Sequence, residues 1–139
     1  MNSGTAGYSA TPLAKKLGIK SGFLVAVING PPNYSDLVKA VPDDINFVSE
    51  PAINADLVHL FTNSRVELFD ELAKCVRLIK QDGSIWVSCY KKAAKLPTEI
   101  TEDTVREAAF PLGLVDVKVC AVDANWSGLK LVIRRENRV

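Results

Sequence analysis

The chain has 139 residues, 47% hydrophobic and 24% charged, the balance of a soluble globule of one domain. Seventeen Lys and Arg against sixteen Asp and Glu give a net charge of +1, which argues against a strongly basic nucleic-acid binder and leaves room for a local basic patch. The longest apolar run, Phe23 to Ile28, falls far short of the roughly 20 residues of a membrane span.

Met1 to Ala10 is small and polar, with neither the basic start nor the apolar core of a secretory signal. Residues 1–10 are therefore expected to be a flexible tail, and residues 11–139 a single α/β domain. Thr11 can cap a short helix, Pro12 suits its first position and Gly18 stops it. Phe23–Ile28 is a continuous apolar run, the pattern of a strand buried on both faces. Asn29-Gly30-Pro31-Pro32-Asn33 breaks it, and a helix is expected from Tyr34 to Ala40. Strands follow at Ile45–Ser49 and Asp56–Phe61.

Ser64 and Glu67 spell a capping box for the longest helix, expected to reach about Lys80. Its apolar stripe is Val66, Phe69, Leu72, Ala73, Val76 and Ile79, and Gly83 is placed for a left-handed end. A fourth strand covers Ser84–Cys89, then a basic loop, Tyr90 to Pro97. Thr101 caps a helix with Glu102 and Asp103 in its first turn, ending near Gly113. A fifth strand, Leu114–Val122, leads through the turn Asp123–Gly128 to a sixth, Leu129–Arg134.

The three cysteines, Cys75, Cys89 and Cys120, are odd in number and widely spaced, which argues against a disulfide framework. One histidine and no Cys-x-x-Cys leave no metal site to expect. Free thiols and the lack of an export signal suggest a cytoplasmic protein.

Alternation of strand and helix predicts a three-layer α/β fold with an open, mostly parallel sheet of about six strands. The last connection is too short for a crossover, so the sheet ends in an antiparallel hairpin. A sheet closed this way resembles the class I methyltransferase fold. Leu78 through Val87, with Gln81-Asp82-Gly83, is similar to that family's "leu-lys-pro-gly-gly" stretch, and Asp56–Phe61 to the motif strand before it. The resemblance implies a truncated version, one strand–helix unit short, with strand order 2-1-3-4-6-5. A closer likeness runs over most of residues 11–136. Thr11-Pro12-Leu13 to Lys20, Thr101-Glu102-Asp103, Gly113 to Asp123, and Trp126 to Lys130 resemble a family of short bacterial proteins of unknown function.

Ligands of open α/β sheets sit outside the carboxyl ends of the strands. Asn29, Gly30, Glu50, Asn63, Tyr90, Lys91, Lys92, Asp123, Trp126 and Ser127 collect there as candidate ligand-binding residues. No catalytic set is visible, since one histidine would have to serve every scheme. The methyltransferase resemblance calls for a glycine-rich turn after the first strand. Here one glycine remains and two prolines lack N–H donors, so the cofactor loop reads as lost or altered. It is no P-loop or dinucleotide fingerprint either. The resemblance also implies a ribose-binding acid at Glu50; a solvated acid is the commoner role.

His59, mid-strand, reads as a hydrogen-bonded core histidine. Cys89 lies beside Lys91 and Lys92, which would lower its pKa; a buried small apolar residue is the plainer role. Lys91, Lys92 and Lys95 suit an anion or a solvated loop. The loops carrying Tyr90–Lys92 and Asp123–Gly128 are expected to meet. Trp126 would then supply an apolar wall, with Asp123, Ser127 and the lysines as polar groups for a small anionic ligand or an acidic partner segment. The alternative has Trp126 plugging the sheet end and Asp123 capping the turn.

The leading reading is a methyltransferase-like domain without catalytic activity, acting as a ligand- or protein-binding module. No cofactor is expected; S-adenosylmethionine belongs to the alternative, a small methyltransferase with an altered cofactor loop. Nucleic acid is disfavoured as a partner, and a homodimer through the hairpin edge is a third reading.

Overall fold

In the computed structural model, which describes residues 12–39 and 41–139, six strands form one sheet in the order β2-β1-β3-β4-β6-β5. The strands are β1 (Leu24–Ile28), β2 (Asn46–Val48), β3 (Ala55–Phe61), β4 (Ile79–Tyr90), β5 (Leu114–Ala121) and β6 (Trp126–Ile133). The helices are α1 (Leu13–Leu17), α2 (Tyr34–Leu37), α3 (Arg65–Leu78) and α4 (Glu102–Ala109). The first four strands pair in parallel, and β6 runs antiparallel to both β4 and β5. This is the order and hairpin expected. The tail, the Thr11 cap and Ala40 lie outside the described residues.

Each strand alternates between two cores. Ala26, Val58, Ile85, Val87, Leu129 and Leu131 face Leu68, Leu72 and Cys75 of α3 and Val105, Ala108 and Ala109 of α4. Val25, Leu57, Phe61 and Trp86 face Ala14 and Leu17 of α1 and Tyr34 of α2. The sheet is thus the middle of three layers. The fully buried Trp86 ring donates its Nε1–H to the Leu17 carbonyl at 2.9 Å, tying α1 to the central strand.

Ser64 caps α3 by accepting from the Glu67 N–H at 3.2 Å. Glu67 does not reach back to close the box; its carboxylate accepts from the Thr62 hydroxyl. On α4 the box closes between Thr101 and Thr104. Gly113, at φ 82, supplies the left-handed turn before β5.

Five details differ from the sequence reading. Pro12 is the cap of α1, one residue before the first helical position, and α2 stops at Leu37. The stripe of α3 is centred on Leu68, Leu72 and Cys75, with Phe69 and Val76 half-buried beside it as expected, while Val66 is 71% exposed. Gly83 does not end the helix. It lies within β4, where the ladder to β3 slips between Ala55 and Leu57. A Cβ there would meet three carbonyl oxygens, of Lys80, Ala55 and Asp56, at 3.0–3.2 Å, so this bulge needs glycine for close approach rather than for a turn. Asp56 secures the bulge, accepting from the Leu24 N–H at 2.8 Å and from Lys80 at 2.8 Å.

The fifth bears on the site. β6 begins at Trp126, not Leu129. The Asp123 carboxylate accepts from the N–H groups of Asn125 (2.8 Å) and Trp126 (2.9 Å), and this Asx turn shortens the loop. Trp126, Ser127 and Gly128 therefore belong to a strand and point to alternate faces.

Gly128 sits under the buried Trp86 ring. A Cβ there would come 3.0 Å from Ser88 Oγ and 3.1 Å from Trp86 Cε3. Gly128→Ala should therefore destabilise the fold by about 1–3 kcal/mol, the cost of overpacking. The check is a urea denaturation in which the midpoint falls at unchanged slope.

Candidate functional site

The strand order reverses between β1 and β3, so the crevice of the sheet opens at their carboxyl ends. Asn29, at φ 58, turns the chain out of β1. Gly30, Pro31 and Pro32 follow, and the two prolines offer no N–H to a ligand. The Pro31 carbonyl accepts from the Tyr34 N–H at 3.0 Å, which returns Tyr34 onto the sheet. There its ring stands edge-on to His59 (centroids 5.4 Å) and Phe61 (5.6 Å). The side chain of α2's first residue thus covers the ends of β1 and β3.

His59 is fully buried and bonded at both nitrogens. Nδ1 lies 2.9 Å from the Tyr34 hydroxyl and Nε2 lies 2.7 Å from Ser88 Oγ. A neutral imidazole has one donor and one acceptor, and a hydroxyl can match either, so the chain Tyr34–His59–Ser88 is satisfied in either tautomer. Burial holds the imidazole down at about 3, so it is neutral at physiological pH. Burial also pushes the Tyr34 phenol well above its ordinary value. This is the core histidine expected; its two hydroxyl partners were not foreseen. The parity of β4, with Ser88 on the Trp86 face, was the available signal for one of them.

An open cleft of about 680 Å³ lies on the opposite face, between the ends of β4 and β6 and the start of α4. Val87, Ile100, Val105 and Leu129 give it an apolar floor. Lys91 and Lys92 stand on one side, and the hydroxyls of Thr98, Thr101 and Ser127 add polar groups. At the other side Arg106 is held by Glu102 (3.2 Å), Asp103 (3.0 Å) and Asp116 (3.1 Å). Neither Lys91 nor Lys92 joins an ion pair among the described residues. Cys89, also in the lining, has its thiol 3.8 Å from the Ile100 carbonyl. Burial first, then the Glu102 charge, raises its pKa, the opposite of activation by the neighbouring lysines.

The structure divides the candidate residues. Tyr90, Lys91, Lys92 and Ser127 line the cleft. Trp126 points to the other face, edge-on to Phe61 at 5.0 Å and tilted against Tyr90 at 4.5 Å. Asp123 is spent on the turn. The Asn63 side chain accepts from the Tyr90 N–H at 2.8 Å and so holds the cleft's rim rather than facing it. Asn29 and Gly30 lie in the β1 loop, and Glu50 is exposed after β2. The expected wall of Trp126 beside Ser127 does not form, because adjacent strand residues face opposite ways. Thr98, Ile100, Val105 and Arg106 were missed; they reach the cleft only because the segment after β4 folds back over it.

Among the described residues no three His, Cys, Asp or Glu side chains gather as metal ligands would, and no helix is long and apolar enough to cross a membrane.

The fold is a truncated, methyltransferase-like one. A S-adenosylmethionine-dependent methyltransferase from Aquifex aeolicus aligns at a TM-score of 0.57 and 15% identity, over 87% of each chain. The pyocyanin biosynthetic protein PhzM aligns at 0.65 and 11%, over 86% of this chain and 52% of that one. An O-methyltransferase of neocarzinostatin biosynthesis, in complex with S-adenosylmethionine and 2-hydroxy-5-methyl naphthoic acid, aligns at 0.62 and 13%, over 81% and 49%. The chain spans about half the length of these last two. No curated protein matches the sequence. A family model described only as a protein of unknown function matches residues 14–135.

The buried histidine makes stability depend on pH. Its folded pKa lies below its unfolded value of 6.5, so the folded state resists protonation and loses stability as pH falls below the unfolded value. Between pH 7.5 and 5 this group alone should remove about 2 kcal/mol. Urea denaturation across that range tests it; His59→Gln should flatten the dependence.

Proposed function

The chain belongs to the DUF3052 family of proteins of unknown function, and we propose that it is a methyltransferase-like binding module that transfers no methyl group. The observation that carries this reading is Tyr34. Its ring stands against His59 and Phe61, where the crevice of the sheet would receive a cofactor, and its hydroxyl is bonded to a buried histidine. A cofactor entering there would have to displace an aromatic ring and break that bond, which would leave His59 short of a partner at a cost of about 1–3 kcal/mol. The Pro31–Pro32 loop adds no N–H groups to offset the loss. The residues present do not fit S-adenosylmethionine.

The ligand we assign is a small amphipathic anion held in the cleft. Its apolar body would lie on Val87, Ile100, Val105 and Leu129, and its anionic end would meet Lys91 and Lys92. A few polar groups set against an apolar wall give such a pocket orientation. With Cys89 held as a thiol and His59 sealed in the core, neither is available for acid–base or nucleophilic work there.

Two measurements test the proposal. Calorimetry and thermal denaturation with S-adenosylmethionine and S-adenosylhomocysteine at millimolar concentration should show no heat and no shift. A bound cofactor at 100 times its Kd would add about 2.7 kcal/mol, and that gain would overturn the reading in favour of a small methyltransferase with an altered loop. A thermal-shift panel of aromatic and aliphatic carboxylates and phosphates should yield stabilising ligands. Lys91→Gln with Lys92→Gln should abolish their effect while leaving the unliganded denaturation midpoint within about 0.5 kcal/mol of the parent.

A further inference from the structure

A second charged surface lies away from the cleft, on the face covered by α1. Three stretches build it: residues 12–22, 117–122 and 124–133. Together they contain Lys15, Lys16, Lys20, Lys118 and Lys130; the acids at their margins are Asp44, whose carboxylate accepts from the Ser21 hydroxyl, and Asp123, which is spent on its own turn. In a chain with a net charge of +1, five lysines gathered on one side make that side locally basic.

The fold brings these stretches together. Lys118 and Lys130 are directly opposite in the antiparallel ladder of β5 and β6. Their parity puts both on the α1 face, with Cys120 and Gly128. The Lys118 amine donates to the Lys16 carbonyl at 3.4 Å, and the Lys16 amine to the Ala121 carbonyl at 3.3 Å. The Lys130 amine comes within 4.0 Å of where a Cβ on Gly18 would stand. None of the five lysines joins an ion pair among the described residues. Asp116, near Lys118 on the same strand, faces the other way and is taken by Arg106.

This arrangement costs the free protein stability. Like charges directly opposite across two strands repel. Partial burial, then the charges of Lys118 and Lys20, hold the Lys130 amine below its ordinary pKa. The C-terminal carbonyls of α1 attract cations and account for Lys118, but they do not explain a second lysine facing it. An anion over the pair would relieve the repulsion.

We propose that this lysine face docks an acidic segment of a partner protein, with carboxylates over the Lys118–Lys130 pair and the end of α1. A second copy of the chain is a poor occupant. Pairing β5 edge to edge about a two-fold axis normal to the sheet keeps the α1 faces on one side and sets two lysine patches against each other. Nucleic acid fits less well. The five cations are all lysines, without the planar guanidinium that stacks on bases. A short segment feels only charges within a Debye length of about 8 Å.

The test is fluorescence anisotropy with a labelled peptide of alternating Glu and Val, compared with its Lys and Val counterpart and with a DNA duplex. The acidic peptide should bind saturably and lose about tenfold in affinity when salt rises from 50 to 500 mM. Lys118→Gln with Lys130→Gln should weaken it by about tenfold, while Lys91→Gln with Lys92→Gln leaves it unchanged, which separates this surface from the cleft. Lys130→Met should raise the melting temperature by a few degrees and weaken the peptide, since one substitution removes both the repulsion and the docking charge. No saturable peptide binding at about 1 mM overturns the proposal, as does equal binding of the basic peptide. So does a duplex that binds tighter than the peptide with the same lysine dependence, which would make the surface a nucleic-acid site instead.

Discussion

One imidazole organises this molecule. His59 lies at the centre of the sheet with no exposed surface, and it is tolerated there because both ring nitrogens meet hydroxyls. Those hydroxyls come from different places: Tyr34 from the first turn after β1, Ser88 from the end of β4. The two bonds therefore join three elements. Meeting them requires the Tyr34 ring to stand edge-on against His59 and Phe61 at the carboxyl end of β3, which fills the crevice. It also requires Ser88 to face the Trp86 side, and that is why the neighbouring strand carries Gly128 at that level. Closing of the crevice and packing of the α1 face follow from the same pair of bonds.

With one face filled, the open volume lies on the other. On the α1 and α2 side, aromatic rings of Tyr34, Phe61, Trp86 and Trp126 occupy the volume. On the α3 and α4 side the side chains at the sheet end are short: Cys89, Ser127 and the threonines after β4. Beside the cleft, the first turn of α4 is anchored by its own Thr101–Thr104 box and by the acids around Arg106. A methyltransferase-like scaffold thus presents an open site on the face opposite to its filled crevice.

Most of the architecture was legible in the amino-acid sequence. Apolar runs marked buried strands, Ser64 and Thr101 marked helix starts, and the shortness of the segment after β5 required a hairpin. What was not legible depends on contacts between distant residues. Gly83 looks like a helix stop, and only the approach of the Ala55 and Asp56 carbonyls makes it part of a bulge. The start of β6 depends on two bonds to the Asp123 carboxylate, which no periodicity reveals. Shifting that start by three residues moved Trp126 to the face opposite Ser127 and split the expected site. Tyr34 lies 25 residues from His59, and Ser88 29 residues beyond it, so their network had no local signature.

The ends of the sheet carry a consequence for the molecule's behaviour in crowded solution. At one end β2 has only three residues. At the other, β5 slips register between Asp116 and Lys118, leaving Val117 as an unpaired extra residue, and a lysine follows at once. Val117 and Val119 are 55% and 50% exposed, an apolar invitation to lateral growth. A break in the ladder beside a positive charge withdraws the invitation, since an incoming strand finds neither a continuous row of donors and acceptors nor a neutral surface. The sheet therefore ends as a finite object at both sides, and the chain can stay dispersed at concentrations where an even, uncharged rim would nucleate fibres.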